Sequence, residues 1–151
     1  MKVVIASDHG GFQYKQQLIK HIGAFGYEVA DLGAFALLPA DDYPDYAEAI
    51  ANALINGQAD KGILICGSGA GVSVAANKFK GIRAAVCHDT YSAHQCVEHD
   101  DVNVLCMGER VIGIELAKEI VVAFLEAKFS HEERHERRLG KIKTIEAKNM
   151  R

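Results

Sequence analysis

The stretch Gly62-Ile63-Leu64-Ile65-Cys66-Gly67-Ser68-Gly69-Ala70-Gly71-Val72-Ser73 runs from an apolar segment through a glycine-rich turn into helix-forming residues. An unbroken apolar run ending in such a turn predicts a strand buried on both faces, followed at once by a helix. The start of a helix leaves several backbone N–H groups unpaired and carries the positive end of the helix dipole. Cys66 stands at that junction, where the field favours a thiolate. The glycine spacing is not the dinucleotide fingerprint, which needs two residues between its second and third glycines. Nor is it a Walker loop, since no Gly-Lys-Ser/Thr follows. The junction therefore suits chemistry on a small anion rather than on a nucleotide.

Working outward, four similar β-branched runs fall at residues 2–6, 27–32, 83–87 and 103–107, separated by segments of helical period. Leu18, Ile22 and Phe25 recur at helical spacing, as do Ala117, Ile120, Val121, Phe124 and Leu125, and residues 45–57 form an alanine-rich helical segment. The alternation predicts a three-layer α/β/α arrangement, a five-stranded parallel sheet with helices on both faces, within a single domain spanning residues 1–151. Ligands of such sheets bind beyond the carboxyl ends of the strands. Asp8-His9, Asp42-Tyr43, Cys66, Ser68 and Arg110 all fall there. Residues 33–44 hold both prolines and no clear period, the mark of a long and functional loop.

A chain of 151 residues with 49% hydrophobic content can bury a stable core. Its net charge of -3 argues against a nucleic-acid binder. No run approaches the length of a membrane span, and the first apolar run is too short for a signal peptide. The four cysteines lack CxxC spacing and fall mostly in apolar runs, so reduced thiols and a cytoplasmic location are expected. From Glu126 onward eight Lys/Arg stand against five Glu, a basic tail on an acidic body. Within it, Ser130-His131-Glu132-Glu133 has the pattern of a capping box and predicts a helix start. That helix has only Leu139, Ile142 and Ile145 as an apolar stripe, narrow enough to predict that it lies in a groove of a second copy of the chain.

Each candidate has a plain structural reading beside the chemical one. Cys66 is either a buried structural thiol or, with Ser68 and the N–H groups of Gly67, Gly69 and Gly71, a base facing donors for an enediolate oxygen. Asp8-His9 is either a helix cap followed by a solvated histidine or an acid–base and anion-contacting pair. His99, in the polar link between residues 98 and 101, is by default an exposed loop histidine. Cys87, His88, His94, Cys96 and His99 match no standard ligand set, so no metal is expected. Arg134, His135, Arg137 and Arg138 read as a solvated face, with Arg137 in reach of Glu133, or as a fork in which Arg134 and Arg138 grip phosphate oxygens.

Taken together, Ser7-Asp8-His9-Gly10-Gly11, Asp42-Tyr43-Pro44-Asp45-Tyr46-Ala47, the block from Ile63 to Lys78, Gly81-Ile82-Arg83-Ala84-Ala85, Asn103-Val104-Leu105, Gly108-Glu109-Arg110-Val111 and Arg134-His135 with Arg138 resemble the ribose-5-phosphate isomerase B family, which includes allose- and galactose-6-phosphate isomerases. The resemblance covers nearly the whole chain. It implies a doubly wound, Rossmann-like fold, a homodimer or dimer of dimers with a C-terminal helix exchanged between subunits, a phosphorylated sugar as substrate, and neither cofactor nor metal. It further implies that Cys66 moves the proton between C1 and C2, that Ser68 assists transfer between O1 and O2, and that His99 with Asp8 opens the furanose ring. Tyr43 would lie near the sugar. His9, Arg110, Arg134, His135 and Arg138 would bind the phosphate, the last three from the neighbouring subunit. Some branches of the family use a glutamate further along the glycine loop; here that region holds Val72, which indicates the cysteine branch. Two positions depart from the pattern: Asp100 replaces a usual Asn at the sugar, and Glu132-Glu133 replace a Gly-Gly pair. An ionised Asp100 cannot donate a hydrogen bond to a sugar oxygen.

Overall fold

Five parallel strands make one sheet in the computed structural model, which describes residues 1–150. They are β1 (Lys2–Ser7), β2 (Glu28–Asp31), β3 (Lys61–Cys66), β4 (Ala84–Val86) and β5 (Val104–Gly108), in the order β2-β1-β3-β5-β4. Each apolar run of the sequence becomes a strand whose ends shift by at most one residue. The helices are α1 (Phe12–Ala24), α2 (Tyr43–Ile55), α3 (Ala70–Ala76), α4 (Thr90–Asp100), α5 (Ile114–Glu126) and α6 (Glu133–Asn149).

Strand side chains alternate between two apolar layers. Ile5, Ile63, Ile65, Leu105 and Met107 point toward α1, α4 and α5, while Val4, Ala6, Leu64 and Val104 point toward α2 and α3. This is the three-layer, doubly wound α/β arrangement. Lys15 of α1 is fully buried, yet both Asp31 carboxylate oxygens and the Ala34 carbonyl accept from its ammonium at 2.7 Å. A buried charge persists only when paired in this way, and the pairing ties the start of the long loop to α1.

After β1 the chain steps outward to β2, then returns to place β3 on the other side of β1. The sheet therefore reverses direction between β1 and β3, where Ser7 lies opposite Ile65. At such a switch point two neighbouring helices diverge and leave a crevice. Asp8 and Cys66 are the residues at its lip. Because β5 rather than β4 sits beside β3, Gly108 pairs with Cys66 and the turn carrying Arg110 borders the same crevice.

The C-terminal segment departs from the capping-box expectation. Helix α6 starts three residues after Ser130, with Glu132 as N-cap and no side-chain capping bond. The Ser130 hydroxyl instead shares a 2.5 Å hydrogen bond with His135 Nδ1 and accepts the Glu132 N–H at 3.2 Å. Helix α6 rests on α4 of its own chain. Leu139 is buried there, while Ile142 and Ile145 stay 42% and 62% exposed. No helix among the described residues is long and apolar enough to cross a membrane.

Candidate active site

A cavity of about 420 Å³ opens at the switch point. Asp8, His9, Tyr43, Cys66, Ser68 and Arg110 line it, with backbone from Gly10, Gly67 and Gly71. Six residues singled out from separate stretches of sequence are thus brought together by the carboxyl ends of three adjacent strands and the start of α2.

Cys66 ends β3, and its sulfur accepts the Gly69 N–H at 3.1 Å. Gly69 adopts φ +81°, and a Cβ there would come within 2.9 Å of the Met107 backbone, so only glycine turns the chain back over the thiol. Ser68 Oγ accepts the Ala70 N–H at 3.2 Å, which leaves its own proton free to give. The N–H groups of Gly69 and Ala70 are therefore spent inside the turn. Gly71, in the first turn of α3, keeps an N–H with no carbonyl behind it. Above Gly71 lies the Tyr43 ring, so close that a Cβ would stand 2.8 Å from it. The Cys66 and Gly67 carbonyls accept the Glu109 and Arg110 N–H groups at 2.9 and 3.1 Å, which stitches the two turns into one wall.

On the opposite wall, Asp8 is buried and accepts the Gly10 N–H at 2.8 Å. Burial raises its pKa above the ordinary carboxylate value and the nearby Asp41 charge adds to this, against the Gly10 hydrogen bond and His9. Asp41, which no motif singled out, accepts from His9 Nδ1 at 2.7 Å, from the His9 backbone N–H at 3.0 Å and from the Tyr46 hydroxyl at 2.9 Å. Burial pushes Asp41 up, but those three hydrogen bonds hold it below the ordinary value. Tyr46 is pushed up to about 12 by burial and by Asp41. The ligand atoms of Asp8, His9 and Asp41 lie within 4.8 Å of one another, the one such cluster among the described residues. As arranged, these groups already satisfy one another and Gly10.

The remaining candidates form a second cluster, outside this cavity. His99 and Asp100 are the last residues of α4, inside the helix rather than in a polar link. A helix that follows a parallel strand runs back toward the amino ends of the sheet, and eleven residues carry it about 16 Å. The His99 ring stacks on His135 at 4.0 Å and 25°, and its Nδ1 lies 3.0 Å from Gln95 Nε2. His135 was expected to touch phosphate, but it is 1% exposed and its Nε2 has no partner among the described residues. Packing between α4 and α6 makes it a brace for His99, not a surface ligand. Arg134 donates to Glu132 at 3.1 Å and Arg137 to Glu133 at 2.7 Å, while Arg138 is exposed. The possible metal ligands of the central segment have other partners. His88 Nε2 accepts the Gly108 N–H at 2.9 Å, His94 pairs with Glu98 at 2.8 Å, and Cys87 and Cys96 face each other at 3.8 Å.

A family model described as Ribose/Galactose Isomerase matches residues 3–142. Ribose-5-phosphate isomerase B of Escherichia coli is 47% identical, over 96% of this chain and 96% of that protein. D-erythrulose-4-phosphate isomerase 2 of Mycolicibacterium smegmatis is 44% identical, over 85% of this chain and 86% of that protein. The solved structure of Clostridium thermocellum ribose-5-phosphate isomerase B is similar with a TM-score of 0.94 at 47% identity, covering 98% of this chain and 99% of that one.

Proposed function

The chain belongs to the ribose/galactose isomerase family and is a sugar-phosphate isomerase; from that premise we propose that it interconverts D-ribose 5-phosphate and D-ribulose 5-phosphate, with Cys66 as the base. The observation that carries the reading is the Cys66 sulfur and the Ser68 hydroxyl in one cavity with Asp8, His9 and Arg110. The Cys66 thiolate takes the proton from C2 of the open-chain aldose. The C2–H electron pair becomes the C1–C2 double bond, and the carbonyl pair moves onto O1. The Gly71 N–H and the Ser68 hydroxyl face this developing oxyanion, in a wall too tightly bonded to need rearrangement. Ser68 relays the O2 proton to O1, and Cys66 returns its proton to C1, which leaves the ketose.

His9 and Arg110 supply a cationic end for the phosphate. Asp8, which lines the cavity and whose burial favours its protonated form, is the acid for the ring oxygen of a closed sugar in this reading. His99, Asp100, Arg134 and Arg138 enter the site from a second copy of the chain, in a homodimer or a dimer of dimers. Two observations favour this sharing: α4 carries His99 away from its own cavity, and the apolar stripe of α6 remains partly uncovered.

The test is isomerisation of ribose 5-phosphate, allose 6-phosphate and D-erythrulose 4-phosphate side by side. Preference for the tetrulose would assign this chain the reaction named for the Mycolicibacterium relative instead. Replacement of Cys66 by Ala should keep phosphosugar binding and lower C2 proton exchange by about 10²–10⁴. Exchange at the parental rate would remove Cys66 from the role of base.

A further inference from the structure

Asp41 lies in the loop between β2 and α2, 32 residues from His9, and reaches back to hold both the ring and the backbone of that histidine. We propose that Asp41 is a positioning residue, which fixes the His9 ring so that Nδ1 is committed to the carboxylate and Nε2 alone is presented to the substrate's phosphate. This rests on the sugar-phosphate reading of the cavity.

One carboxylate oxygen accepts from two His9 donors, Nδ1 at 2.7 Å and the backbone N–H at 3.0 Å. Two bonds from one residue to one atom set the ring's orientation, not merely its distance. The second carboxylate oxygen accepts from the Tyr46 hydroxyl at 2.9 Å, so Asp41 is itself held, and neither residue lines the cavity. The Asp41 side chain is 8% exposed, against 35% for His9: the carboxylate is behind and the imidazole in front. A carboxylate behind a histidine chooses which nitrogen faces the ligand and compensates the ring's charge when it carries one. As an imidazolium the ring would donate its Nδ1–H hydrogen bond to Asp41 and its Nε2–H hydrogen bond to a phosphate oxygen. The two acids that flank His9 are pushed in opposite directions, Asp8 up and Asp41 down, which keeps the holding group ionised while the other can carry a proton. Without Asp41, a half-exposed histidine on a turn would sample several rotamers and either ring nitrogen.

Calorimetry with inorganic phosphate as the probe tests this without turnover, alongside steady-state kinetics. Asp41→Asn, which keeps the size of the side chain and removes its charge, should raise the phosphate Kd and the sugar-phosphate KM about tenfold, or ~1.4 kcal/mol, with kcat changed less than about twofold. Tyr46→Phe, which leaves the His9 contact intact, should move the phosphate Kd less than about twofold; Asp41→Glu should retain part of the affinity. In a His9→Ala background, Asp41→Asn should add nothing further. An unchanged phosphate Kd in Asp41→Asn, or an equal loss with and without His9, would overturn the proposal and leave Asp41 as a loop tether. A parent protein that isomerises none of the three sugar phosphates would instead overturn the functional reading, while phosphate calorimetry would still report on Asp41 and His9.

Discussion

Arg134 donates to Glu132 at 3.1 Å, with both side chains 56% exposed. A surface pair of this kind contributes about 0.2–1 kcal/mol, so on the proposed role of Arg134 a phosphate would displace only a weak competitor. Glu132→Gly should therefore lower the sugar-phosphate KM by about 1.4- to 5-fold with kcat unchanged, the loss of that pair expressed as affinity. A KM that stays constant would show that Arg134 does not meet the phosphate. At this scale, the sequence made legible those residues that follow directly on a strand end: Asp8, Cys66, Ser68 and Arg110. Asp41 was not legible, because its contact with His9 crosses 32 residues of chain, and Tyr46 joins the site only through Asp41. The placement of His135 was not legible for the converse reason. Its arginine neighbours suggest anion binding, whereas the packing of α6 on α4 turns the ring inward against His99.

Strand β3 begins at Lys61, whose ammonium donates to the Phe124 and Ala127 carbonyls at 2.7 and 2.9 Å, and so closes the C-terminal end of α5. Burial lowers the Lys61 pKa to about 8 from an ordinary 10.5. Between those values the unfolded chain holds a proton that the folded one has released, so this residue makes stability rise with pH across that interval. The neutral amine keeps its donors, and the α5 end remains bonded. Lys61→Met should cost about 1–3 kcal/mol by leaving the carbonyls unpaired and should also flatten the rise in the urea midpoint between pH 8 and 10. A variant with the parental slope would assign the pH dependence to another group. Elements were the most legible level: the near-continuous apolar runs became the three central strands β1, β3 and β5, and the ends of all five strands fall within a residue of those expected. The capping box at Ser130 failed because its hydroxyl found His135, a partner that local spacing does not reveal.

The order β2-β1-β3-β5-β4 places the switch point, and with it the cavity, where the glycine-rich turn after β3 pointed. The distribution of the site over two molecules is a prediction of the same topology, since a helix in a parallel sheet carries its two ends to opposite edges. Cys66→Ala and His99→Asn proteins, each nearly inactive alone, should regain roughly a quarter of parental activity when co-refolded in equal amounts. Half of the dimers are then mixed, and each mixed dimer has one intact site. No recovery would place His99 outside the catalytic site, or within its own subunit's. The resemblance assigns the basic tail to a neighbouring subunit's site; the hydrophobic pattern alone does not, because it names a covered face and not the molecule that covers it.

The stack of His99 on His135, with Ser130 behind it, forms within one chain. On the proposed sharing of sites, a subunit would deliver this stack to its neighbour already packed, and association would cost little ordering at the reacting centre. Under dilution such an enzyme does not lose its cavity or its folded signal. Its rate per mole of chain should decline if dimers dissociate, until turnover scales with the square of protein concentration; a rate per mole that stays constant on dilution would place each site within one chain.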